Sequence, residues 1–154
     1  MATYITCLAA YWGALVFGTA VVAPIAVTRL EQAQAASFLR RYWLVYHRFA
    51  VLGGIVLTAV AAATAGYSAL PMVYVLFCVS IGSLMTVSFY VALTLIPKIN
   101  LARDQGETAR FNRLHRLDVS LVGLGIIAGL ILTAAVIYVL PGQFTFWPTA
   151  GAAA

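Results

Sequence analysis

Charge is what this sequence has least of. Only 8% of its 154 residues are Asp, Glu, Lys or Arg, against roughly a quarter in a soluble globular domain, and that shortfall excludes a chain whose surface faces water. Acids number four. No GxSxG, HExxH, P-loop or carboxylate pair occurs, so hydrolytic and phosphoryl-transfer chemistry has no constellation to build on and an enzyme is the less expected class. Cysteine is nearly absent as well: Cys7 and Cys78 stand far apart, which excludes a short-spaced metal motif, and they read as small hydrophobes. Strict apolar–polar alternation is missing, and with it a barrel strand.

What fills the chain instead is hydrocarbon, at 64% hydrophobic residues. Long apolar stretches predict helices over approximately 5–28, 37–65, 72–96 and 108–140, with a short tail 141–154. Each matches the ~20 helical residues that span a bilayer, and lipid cannot satisfy the backbone of anything but a helix at this length. The expected fold is all-α: one transmembrane domain over 1–154, an integral membrane four-helix bundle in contact with the lipid bilayer. The first stretch lacks a basic leader and is too long for a secretory signal, so it reads as retained. Every Lys, Arg, Asp and Glu falls between Arg29 and Arg48 or between Lys98 and Asp118. By the positive-inside rule those two loops are expected in the cytoplasm, with both termini outside, on the periplasmic side of a bacterial inner membrane. The sequence pI near 9.6 is then a topology signal, and no nucleic-acid partner is expected. Trp147, Phe144 and Phe146 read as interfacial anchors.

A weak internal repeat organises the chain. Val22-Ala23-Pro24-Ile25 and Leu95-Ile96-Pro97-Lys98 each precede a basic loop, and Tyr46-His47-Arg48-Phe49 or Leu114-His115-Arg116-Leu117 follows. Two tandem helical hairpins of like orientation are expected, related by an axis along the membrane normal. Pro24 and Pro97 are expected to end or bend their helices, and Ser37 and Thr108 to cap the next ones, with Glu31 and Gly106 in the turns between. Gly53 and Gly54, and the GxxxG of Gly125 and Gly129, predict close helix packing.

The chain's two histidines occupy equivalent places in this repeat. If they face one another at matched depth, His47 and His115 suit the two axial positions of a haem b, with Arg48 and Arg116 on its propionates. The same imidazoles suit copper or a similar cation, with Asp118, one turn past His115, as a further ligand or as a partner that bonds and orients a ligating imidazole. A third reading has both histidines bonding loop carbonyls and both arginines reaching lipid phosphates.

The series Trp12-Gly13, Ala23-Pro24, Pro97-x-Ile99 and Arg110-Phe111-x-x-Leu114-His115 resembles a small four-helix membrane family of undefined function. That family is similar to a human TMEM-type protein linked with platinum-drug resistance and, distantly, to copper-resistance-D membrane proteins. The resemblance implies a four-helix membrane domain and a link to metal tolerance or transport. The family pattern has a Ser where this chain has Asp118, and a polar pair before the helix-three proline where Ala92 to Ile96 is almost wholly apolar. Three functions are therefore expected in order: haem or metal binding for redox or metal handling; a non-catalytic accessory subunit of a larger respiratory or photosynthetic complex, or a homo-oligomer; and a transporter of small cations, drugs or metals.

Overall fold

The computed structural model describes residues 2–67 and 71–139, almost all of them helical. The first membrane crossing is built from α1 (Ala2–Phe17), a π-helical turn over Gly18–Val22, and α2 (Ala23–Arg29); α3 (Gln32–Tyr67), α4 (Met72–Asp104) and α5 (Thr108–Val139) supply the other three. Among the described residues four helices are long and apolar enough to cross a membrane, and the all-α four-helix architecture is as the apolar runs predict. Residues 68–70 of the expected Gly66–Pro71 turn, and the whole 141–154 tail with its aromatic anchors, lie outside the described residues.

The helices run past the expected limits at the end of the bundle that carries the charges. At 36 residues, α3 is about 54 Å long at 1.5 Å per residue, well beyond a ~30 Å hydrocarbon core. It begins at Gln32 and not at Ser37: Leu30 is extended at φ −98° and ψ 151°, the Ala35 amide then donates to the Glu31 carbonyl at 2.8 Å, and Gln-Ala-Gln-Ala-Ala favours helix throughout. The two prolines part company. Pro24 lies just past the π-helical turn, where the widened turn accommodates the ring and the missing amide. Pro97 stays inside α4, which continues to Asp104. Leu95, Ile96 and Ile99 on either side of it are buried against Trp43, Leu44, Phe111, Leu114 and Leu121, and this packing holds the helix across the break.

α4 does end where the sequence places a turn. Gly106 adopts φ +68°, its amide donates to Arg103 at 3.1 Å and that of Glu107 to Ala102 at 2.9 Å, the paired bonds of a Schellman cap. α5 then opens at Thr108 as expected. A Gly106→Ala variant must place a Cβ in the left-handed region, so its thermal midpoint in detergent should fall by the equivalent of about 1–2 kcal/mol.

The core is made by α3 against α4, with α5 on α4 and α1 on α3. Trp12 closes the ring, its indole N–H donating to Thr133 Oγ1 of α5 at 3.3 Å. Three buried tyrosines stitch helices together through backbone carbonyls: Tyr4 to Cys78 at 3.0 Å, Tyr11 to Ala50 at 2.9 Å and Tyr46 to Leu15 at 3.2 Å. Cys7 and Cys78 are free thiols packed in this core, as small hydrophobes are. Large apolar side chains such as Phe17, Ile55, Leu76 and Leu124 point outward, the surface a bilayer covers.

Candidate functional site

At the charged end the bundle opens. Below it, Leu15, Leu57, Ile81, Met85 and Phe89 fill the interior; above, a cavity of about 520 Å³ lies between α3, α4 and α5, with Thr19 of the π-helical turn on its margin. Ile96, Ile99, Val119, Val122 and Ile126 give it apolar walls, and Arg40, Asn100 and Arg103 stand toward its charged-end mouth. His47, His115 and Asp118 all line it.

His47 is set by its own helix. Trp43 is one turn earlier in α3, and the His47 Nδ1–H donates to the Trp43 carbonyl at 2.7 Å. The ring is boxed by Trp43, with centroids 6.2 Å apart, and by Phe89 of α4 at 5.7 Å, and the residue is 1% exposed. With Nδ1 committed as donor, Nε2 is directed away from its own helix. It meets Asp118 Oδ1 of α5 at 3.3 Å, and Asp118 is itself buried. The two atoms are close enough to be an ion pair, but neither has a hydrogen-bond partner. Buried polar atoms without partners are unusual, and two facing one another more so.

His115 reaches the same cavity differently. Its ring stacks on Phe111, centroids 5.6 Å apart and planes 15° from parallel, and the residue is exposed. Of the groups lining the cavity, His47 pairs with Asp118, one helical turn deeper than His115. The two halves of the repeat differ in the length of chain between proline and histidine, the second being shorter; His47 is buried and His115 exposed. Among the described residues no three His, Cys, Asp or Glu side chains gather in a metal-ligating group; His47, His115 and Asp118 share a cavity without forming a cluster. Arg48 and Arg116 are exposed and do not line the cavity. Sequence reasoning passed over Trp43, although a carbonyl four residues before a histidine on a helix is a recurrent partner for Nδ1, and over Arg103 and Asn100, which lie in the stretch of α4 beyond the expected end at 96.

Residues 6–108 match the family described as a domain of unknown function (DUF4149). The match includes His47 and stops at the first residue of α5, before His115 and Asp118. No curated protein and no solved structure matches the chain.

Proposed function

Because the chain belongs to the DUF4149 family, whose description names no activity, we propose its function from the floor of the cavity: a small membrane protein that binds a transition-metal cation between His47 and Asp118, for metal handling at the face carrying its charged loops. By the positive-inside rule that face is cytoplasmic. One observation carries this reading: His47 Nε2 and Asp118 Oδ1, both buried, face one another at 3.3 Å and neither makes a hydrogen bond.

A lone pair on Nε2 facing a carboxylate oxygen needs positive charge between them. A proton or a metal ion supplies it. His47 Nε2 and Asp118 Oδ1 would both hold such a cation, which would supply that charge. The Trp43 carbonyl on Nδ1 is the outer partner that metal-binding histidines commonly have. Two protein ligands leave further positions for exogenous groups, with His115 in the wall nearby. Such a site suits acceptance and release of an ion better than permanent structural storage.

Haem fits this geometry less well. Iron on His47 Nε2 would stand where the Asp118 carboxylate stands, and Arg48 and Arg116 lie away from the cavity. Conduction has little support either, since the packed core closes the cavity below. The GxxxG of α5 faces inward: a side chain at Gly125 would meet Ser88, and one at Gly129 would meet Trp12 and Met85, so that motif serves the bundle rather than a partner subunit.

The test is equilibrium dialysis of the detergent-purified protein against Cu(II), Co(II) and Zn(II), with metal counted per chain. One equivalent is expected for wild type. His47→Ala should lower affinity at least about a hundred-fold, and Asp118→Asn about ten- to a hundred-fold, on the scale of losing a ligand or its support. Wild-type protein that binds none of the three, or variants that bind like wild type, would sink the proposal.

A further inference from the structure

The mouth of the cavity differs chemically from its floor. Two guanidinium groups line it. That of Arg40 is held by both carboxylate oxygens of Asp104, so this pair brings no net charge. That of Arg103 has no hydrogen bond or ion pair among the described residues; it rests 5.8 Å from the centroid of the Phe111 ring, a face that orients a guanidinium without neutralising it. Arg103 also borders a second, smaller cavity of about 280 Å³ whose other walls include Val27, Leu30, Ala35 and Leu39. One cation without an ion pair of its own among the described residues therefore stands at the rim of two largely apolar recesses.

The geometry points to an anionic phospholipid of the adjoining leaflet as the occupant of this mouth, its phosphate on Arg103 with Asn100 beside it and an acyl chain against Val119 and Val122. The argument is complementarity. A guanidinium pairs with phosphate through charge-assisted, often bidentate hydrogen bonds. A free phosphate would have no use for the apolar wall. Val119 is 55% exposed and a side chain added at Gly123 would meet nothing within 4 Å, so the α5 wall is open enough to admit a chain from the bilayer. The Arg103 charge, in the field of the neighbouring Asp104 but without an ion pair of its own among the described residues, favours anionic over zwitterionic lipid, at about 1 kcal/mol or roughly five-fold per basic residue at the membrane surface. The cavity lies within the roughly 300–1,000 Å³ of ordinary ligand sites.

This inference does not rest on metal binding at the floor, and its test keeps the two apart. Protein reconstituted in nanodiscs of mixed phosphatidylglycerol and phosphatidylcholine is released into mild detergent, and retained lipid is counted by native mass spectrometry. Wild type should keep one phosphatidylglycerol. Arg103→Gln should reduce that retention about five-fold or more and Arg103→Lys by less. Arg113→Gln, at an exposed arginine that does not line the cavity, and His47→Ala should keep it. Thermal midpoints identify any variant that lowers retention by misfolding, in which case Arg103→Lys decides alone. Equal loss in the Arg103 and Arg113 variants would show diffuse surface attraction and overturn the site. Retention unaffected by Arg103→Gln would do the same, and displacement of the lipid by millimolar inorganic phosphate would reassign the site to the free anion.

Discussion

Gly54→Val or Gly82→Val should leave no stable four-helix protein. The two glycines meet where α3 crosses α4, the most extensive helix contact in the bundle. A Cβ added at Gly54 would lie 2.9 Å from the amide nitrogen of Thr86 and 3.0 Å from the carbonyl oxygen of Gly82; one at Gly82 would lie 2.7 Å from the amide nitrogen of Thr58 and 2.9 Å from the carbonyl oxygen of Gly54. These are backbone atoms, which cannot rotate aside, so the helices must separate. Each glycine is followed four residues on by a threonine whose hydroxyl donates to that glycine's carbonyl, at 2.9 Å for Thr58 and 2.8 Å for Thr86. Both helices thus present the same small face to the crossing, and in a bilayer, where burial of apolar surface does not drive helices together, this close approach is a main source of association. Alanine at either site should cost about 1–3 kcal/mol as overpacking, net of the ~1 kcal/mol that alanine gains over glycine in a helix, and valine more. Gly13→Ala is the matched control: its Cβ would meet nothing within 4 Å, so its midpoint should hold or rise. Thermal unfolding followed by circular dichroism, with size-exclusion profiles, separates the cases. Equal midpoints for Gly54→Ala and Gly13→Ala would contradict the crossing.

Gly82 also shows where sequence reasoning stops. Gly53, Gly54, Gly125 and Gly129 stand out as neighbours or as a spaced motif, whereas Gly82 is a single glycine in an apolar run; its role comes from what lies across from it. The four spans were legible because hydrocarbon thickness imposes a length that can be read from any apolar run. The charged-face ends of α3 and α4 were not, unlike the start of α5 at Thr108, since hydropathy registers the lipid-facing part of a helix and α3 and α4 continue as polar helix beyond it, tied by Arg40 and Asp104. At the site, His47, His115 and Asp118 could be singled out one by one as the scarce groups near the bilayer. That His47 meets Asp118 depends on the offset between α3 and α5, a tertiary quantity that the repeat does not supply.

The pair those helices bring together should respond to mutation in a way an ordinary core contact does not. His47→Phe leaves the Asp118 carboxylate buried without a counterpart and should cost about 3–5 kcal/mol. Asp118→Leu leaves an imidazole, which can stand neutral, and should cost about 1–3 kcal/mol for its unsatisfied nitrogen. The double variant His47→Phe with Asp118→Leu removes both polar groups and places hydrocarbon against Trp43 and Phe89, so it should be more stable than either single variant and close to wild type. Denaturation of the four proteins in one detergent gives the coupling. Costs that simply add would mean that the two side chains do not act on one another. If the double variant is stable and yet takes up no Cu(II), Co(II) or Zn(II), the buried pair is dispensable for folding. Its place on the floor of an open cavity would then fit the metal site proposed for it, since hydrocarbon would serve the bundle as well.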